Sequence, residues 1–249
     1  MLFSLTDMKR LSLRRYKPSR KQVIVGLLAL AAAALALNWI YQVIRKPAEL
    51  FFPVSGALFK TPTETWREYQ AIFRRHATAV MAPELLAALA QVEGSGNPVA
   101  RTPWRVAAST DPREIYRPAS SAVGMYQITD ATFRDARRYC IRGNAATEDC
   151  WFNILYMRVI PSHAVELTSA YLDRRVAAIT ERGRVRPSLE QKQDLAAVIH
   201  LCGSAAGEDY ARRGFRFAAG QRCGEHDARA YLARVRQMKR VFARLSTLG

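Results

Sequence analysis

The 249-residue sequence has no sustained alternation of apolar and polar residues and no internal repeat. Those absences argue against a β-sandwich, a barrel or a solenoid. It contains neither the CxxC nor the HxxxH spacing from which zinc sites are commonly built, so a metal centre is not expected. Acidic residues are scarce, 21 against 38 lysines and arginines, for a formal charge of +17. Such a surplus suits polyanions: nucleic acid, anionic lipid headgroups or acidic polymers. No nucleic-acid motif accompanies it. Pairs such as Arg137 and Arg138, Arg174 and Arg175, and Arg212 and Arg213 fall in helical patterns and read as solvated faces. Nucleic acid is therefore not an expected partner.

Charge is also missing, completely, from Val23 to Tyr41, which reads VIVGLLALAAAALALNWIY. At 1.5 Å per residue such a run crosses a hydrocarbon core of roughly 30 Å. Trp39 and Tyr41 stand at its far end, where amphipathic aromatics favour the headgroup level. Lys9, Arg10, Arg14, Arg15, Lys17, Arg20 and Lys21 precede it, against Arg45 and Lys46 after it. The positive-inside rule places the N-terminus in the cytoplasm and the rest outside. The expected organisation is a basic tail (1–22), a transmembrane signal-anchor (23–44), a linker (45–62) and an exported domain (63–249). Ala34-Leu35-Ala36 resembles a signal-peptidase site, so cleavage remains an alternative that exports the same domain.

All four cysteines, Cys140, Cys150, Cys202 and Cys223, lie beyond the apolar run, consistent with an oxidising compartment. Four permit three pairings. The pairing of sequence neighbours, Cys140 with Cys150 and Cys202 with Cys223, is expected, each loop contributing roughly 2–4 kcal/mol. Helical signals dominate from Thr63 onward. Pro83 opens PELLAALAQVEG, and Thr129 or Asp130 caps a helix running to about Cys140. A long helix follows Pro161. Ser188 and Gln191 form a capping box for one ending near Gly203, and a last helix spans about Asp227 to Leu245. The exported part is expected to be mainly α.

Glu93 is the only acid between Leu85 and Pro98 and sits on the last turn of an apolar helix. Apolar surroundings and the negative end of the helix dipole both disfavour its charge, an environment expected to raise its pKa. A protonated carboxylic acid near neutral pH is what glycosidic cleavage requires.

The segment Glu93-Gly94-Ser95-Gly96-Asn97-Pro98 resembles the E-S-x-x-N-P signature of the lytic transglycosylases, lysozyme-like enzymes of bacterial cell walls. Ser121-Ala122-Val123-Gly124-Met125-Tyr126-Gln127-Ile128 is similar to their A-x-G-L-M-Q-I block. Thr129-Asp130-Ala131-Thr132-Phe133 lies close to M-P-x-T-A. The resemblance covers about residues 82–207. It implies a lysozyme-like helical domain, no cofactor, and Glu93 as the single acid and base. Gln127 would line the saccharide groove, with the backbone of Gly124 and Met125 held close to the sugar. Ser120 and Ser121 would donate hydrogen bonds or act as caps, and Tyr126 would stack on a sugar or belong to the core.

The sequence departs from the family at three places. The span between the motifs, Ala100 to Ser120, is longer than in the shortest members and is expected to form an extra lid or groove wall. The serine after the acid is Gly94. The third motif, A-Y-N-A-G, whose tyrosine supports the acid, is replaced by Ala197-Val198-Ile199-His200-Leu201-Cys202-Gly203. His200 therefore becomes a candidate donor to Glu93, with a core histidine as the alternative. No second carboxylate stands at a motif position; Asp111, Glu114, Asp130 and Asp135 are near in sequence only. The resemblance implies cleavage of the bond from N-acetylmuramic acid to N-acetylglucosamine with 1,6-anhydro ring closure. A goose-type muramidase, or an inactive wall-binding module of a secretion or division assembly, are the alternatives. Expected partners are peptidoglycan, lipid around the N-terminal helix, and an envelope complex.

Overall fold

A computed structural model describes residues 18–51, 53–182 and 186–248. Lys9, Arg10, Arg14, Arg15 and Lys17 of the basic tail lie outside the described residues. The chain divides into two compact units, 1–41 and 42–249. In the first, helix α1 begins at Arg20 and continues to Arg45. It is long and apolar enough to cross a membrane, a test that a signal sequence also meets, and its apolar window is not buried by protein.

The second unit is mainly helical. Thr61 starts α2 (Pro62–Arg75) with a capping box to Glu64, and Pro62 presets the first turn. Helix α3 (Pro83–Gly94) follows. Its residues Leu85, Leu86, Ala87, Ala88, Leu89 and Ala90 are all buried, so it is surrounded rather than laid on a surface. It packs against α2 and against α8 (Ala228–Thr247), which Asp227 caps. Helix α8 turns Tyr231, Leu232, Val235 and Phe242 inward, and Phe242 meets Trp66 of α2 at 5.8 Å between ring centroids. Each such buried side chain contributes roughly 1.5–3 kcal/mol. Between α3 and α8 the chain adds α4 (Pro112–Ile115), α5 (Asp130–Ala136), α6 (Pro161–Glu181) and α7 (Leu189–Arg212). The expected capping box of Ser188 and Gln191 opens α7. Its regular path breaks at Gly203, whose φ of +80° suits glycine, and resumes beyond it.

Among the described residues, three short hairpins interrupt this pattern, too brief for periodicity to reveal. They are β1 (Trp104–Val106) with β2 (Tyr116–Pro118), β3 (Cys140–Arg142) with β4 (Ala145–Thr147), and β5 (Arg222–Cys223) with β6 (His226–Asp227). Helix α5 therefore stops at Ala136, and Cys140 enters a strand instead. Both expected disulfides are present, Cys140–Cys150 and Cys202–Cys223.

The expected linker is not a free tether. Residues Pro47–Phe51 and Ser55–Leu58 form 3-10 turns. Glu49 is fully buried, accepting hydrogen bonds from Arg101 Nη1 (2.9 Å) and Trp104 Nε1 (2.7 Å) on one oxygen. Lys46 Nζ lies 3.2 Å from the other as an ion-pair partner without hydrogen-bond geometry. Burial holds the Lys46 pKa below the ordinary lysine value, and Glu49 opposes that shift. Removing the carboxylate would leave the buried Lys46 without the counter-charge beside it. Glu49→Ala is expected to destabilise the chain by about 3–5 kcal/mol, measured by denaturant unfolding in detergent.

Candidate active site

Glu93 lies on the last turn of α3, and its side chain retains 16 % exposure. Beyond it the chain reverses sharply. Ser95 and Gly96 both take left-handed φ values, +49° and +64°. A Cβ at Gly96 would come within 2.1 Å of Thr65 Oγ1, so glycine is required there by contact as well as conformation. Asn97 is completely buried. Its amide donates to Ser55 O (2.7 Å), and its carbonyl accepts from Val99 N (2.9 Å). The asparagine of this motif is thus a brace for the loop and does not reach substrate.

The second motif packs on the first through backbone. A Cβ at Gly94 would stand 2.8 Å from Met125 Cα and 2.9 Å from Met125 O. The missing serine is therefore a geometric necessity in this chain, because the second loop occupies the space a side chain would need. Tyr126 is fully buried and donates to Leu86 O of α3 (3.1 Å), and Met125 is fully buried beside it. Neither side chain offers a surface to a saccharide, so of the two readings of Tyr126, a sugar platform or a core residue, its burial favours the core. The space beside Gly124 is likewise filled. A Cβ there would meet Arg158 O at 2.5 Å, so this glycine admits protein backbone in place of sugar.

Ser121 Oγ accepts from Asp130 N (3.1 Å) and Ser120 Oγ from Ala122 N (3.2 Å), so both hydroxyls serve as turn caps. Gln127, at φ +47°, donates its amide to Ala100 O (3.1 Å) and Gly124 O (2.9 Å). With both bonds directed to backbone, its side-chain carbonyl is the group it can offer a ligand. Arg158, which sequence reasoning missed, ties the loop together. It donates to Ser121 O (2.9 Å) and Ile128 O (2.8 Å) and pairs with Asp130 (2.7 Å).

Two side chains from distant parts of the sequence converge on Glu93 Oε1. The Tyr231 hydroxyl of α8 donates to it at 2.5 Å. His200 Nε2 of α7 stands 3.7 Å away, beyond hydrogen-bond reach. His200, a candidate donor from the sequence, thus lies near the acid without bonding to it, and the direct donor is Tyr231. Burial, then the charge of Glu93 and the hydrogen bond to it, push the Tyr231 pKa well above 10. It therefore remains a hydroxyl donor across the physiological range. Nothing in the local sequence of Tyr231 marks it; the signal available was a tyrosine on the apolar face of the last amphipathic helix. The Cys202–Cys223 bridge links the stretch of α7 just after His200 to the hairpin just before α8.

A partly exposed carboxyl at the end of a buried helix can give and recover one proton, and a fixed donor on one oxygen orients the other. Residues 70–189 match the family described as Transglycosylase SLT domain. This segment is a domain of the lytic transglycosylase type, of the lysozyme-like superfamily. No curated protein matches it. The match includes Glu93 and the second motif, whereas His200 and Tyr231 fall beyond its end. A peptidoglycan-directed, lytic-transglycosylase-type function in general follows from this domain.

Two substitutions test the geometry. Tyr231→Phe removes a hydrogen bond to a charged group, worth about 1.5–3 kcal/mol, so murein turnover should fall roughly ten- to hundredfold in kcat with KM little changed. Steady-state assays against the same substitution at Tyr210 give the comparison. Gly94→Ser, which restores the family's residue, should lower stability by about 1–3 kcal/mol in thermal or denaturant unfolding, since Met125 backbone occupies its place.

Proposed function

We propose that the chain cleaves the β-1,4 bond between N-acetylmuramic acid and N-acetylglucosamine in peptidoglycan, with Glu93 as its only acid and base. The observation that carries this reading is the Glu93 carboxyl, partly exposed, held on one oxygen by Tyr231, beside a motif loop packed backbone to backbone. Glu93 gives its proton to the glycosidic oxygen as the bond from muramyl C1 breaks. The substrate's own acetamido group stabilises the developing cation. The Glu93 carboxylate then takes the proton of the muramyl C6 hydroxyl as that oxygen bonds to C1. The product is a 1,6-anhydro ring, and no water is consumed. Tyr231 supports the carboxylate during the interval in which it is charged. Gln127 contributes its side-chain carbonyl to the saccharide groove.

Support for a single acid comes from the neighbours in sequence. Each of the four other candidate carboxylates is engaged by an arginine: Asp111 by Arg113, Glu114 by Arg45 and Arg117, Asp130 by Arg158, and Asp135 by Arg175. Such pairs suit structural roles better than activation of a water molecule. The apolar helix α1 supports an anchor in the cytoplasmic membrane, and the two disulfides support an oxidising compartment for the domain.

Digestion of purified murein, followed by mass spectrometry of the muropeptides, distinguishes the alternatives. Products lighter by one water than reducing-end muropeptides are expected; reducing ends would establish a water-using muramidase. Glu93→Gln should lower turnover by at least about a thousandfold while sacculus binding persists. A wild-type chain with no turnover would overturn the enzymatic reading.

A further inference from the structure

The stretch after the apolar helix turns the usual surface pattern inside out. Residues 47–59 read PAELFFPVSGALF and contain one charge, Glu49. That charge faces inward and is fully buried, as are Ala48 and Ser55. The apolar side chains face outward instead: Leu50 is 57 % exposed, Phe51 37 %, Val54 51 %, Leu58 38 % and Phe59 57 %. Among the described residues from 50 to 59, Ser55 alone is buried, and no exposed one has a charged or hydrogen-bonding side chain. Isolated exposed apolar residues are ordinary, but a contiguous uncharged patch indicates an interaction surface.

Its place in the chain identifies the partner. Tyr41 ends the apolar run and α1 continues to Arg45, so Leu50 lies within about 25 Å of Tyr41 along the backbone. A patch that begins this few residues after a membrane exit, with phenylalanines at two of its exposed positions, is within reach of the lipid interface. The inward polar atoms meanwhile fasten the segment to the loop after Glu93. Asn97 Nδ2 donates to Ser55 O (2.7 Å), Lys60 N to Ser95 O (2.8 Å), and Gln91 Nε2 to Lys60 O (2.9 Å).

We propose that residues 47–59 form a second membrane contact, an in-plane patch seated in the interfacial layer of the bilayer that residues 23–41 cross. This rests on the anchor reading. Lipid is the partner, and the outward apolar side chains are the contact. The catalytic loop, hydrogen-bonded to the inner side of the same strap, is thereby held at a set height above the lipid. The chain would work on glycan close to the membrane, without the reach a flexible tether provides.

The test uses the full chain in vesicles of phosphatidylethanolamine and phosphatidylglycerol with no other protein present. Single cysteines are introduced at exposed positions, Val54→Cys and Phe59→Cys, with Leu248→Cys and Leu30→Cys as references, and labelled with an environment-sensitive fluorophore. Phosphatidylcholine spin-labelled near the headgroup end of its acyl chain then serves as quencher, after each chain is shown to keep the parent's unfolding temperature. The labels at 54 and 59 are expected to be blue-shifted and quenched at least about twofold more than the label at 248. Quenching at both equal to that at 248, with the label at 30 shielded from water and quenched by lipid spin-labelled deep in the chain, overturns this proposal and leaves the anchor standing. A label at 30 that meets no lipid overturns the anchor and the proposal together. Protection of 54 and 59 only in native membranes, and not in these vesicles, assigns the patch to a protein and also overturns the proposal.

Discussion

A carboxyl group at the end of a buried helix needs a polar partner, and in this chain that partner stands 138 residues away. The hydrogen bond from Tyr231 to Glu93 fixes what the surrounding helices must do. Helix α3 is buried on all sides and cannot shift, so α8 has to present its inward face at the level of the acid. Helix α7 supplies His200 from its last turns before the break at Gly203, and a disulfide ties that break to the start of α8. The short hairpins and the long helices away from the acid serve this meeting by bounding the core that carries it.

The second constraint is an approach of backbones. Two motif loops touch where Gly94 has no side chain, and Gly124 is closed against the carbonyl of Arg158. The conserved-looking character of these loops is therefore internal. Asn97, Tyr126 and Gly124 satisfy hydrogen bonds and exclude volume within the protein, and they place Glu93 and Gln127 without reaching outward themselves. A motif match identifies the residues of such an arrangement without saying which of them face a ligand.

What the sequence made legible follows from the range of the interactions concerned. Glu93 was singled out by a local anomaly, an acid among apolar residues at a helix end, together with the motif that begins at it. The capping boxes and proline starts of α2, α3 and α7 were equally local. The disulfide pairing followed from short separations. Tyr231 was invisible because it meets Glu93 from a helix 138 residues farther on, so only the folded chain brings it near. The hairpins were missed because strands of two or three residues have no period to detect. Residues 45–62 read as a linker because of their prolines and glycine, whereas Glu49 among them is buried against Arg101 and Trp104, about fifty residues on.

The boundary of the family match has a consequence for where the surroundings of Glu93 are encoded. The segment that ends at residue 189 carries Glu93 and the loops that frame it, but not the two side chains that attend its carboxyl. A fragment cut at that boundary would keep the acid and lose its hydroxyl donor together with the inward face of α8 that packs on α3. The folded environment of this one group therefore extends well past the matched residues, to the last helix.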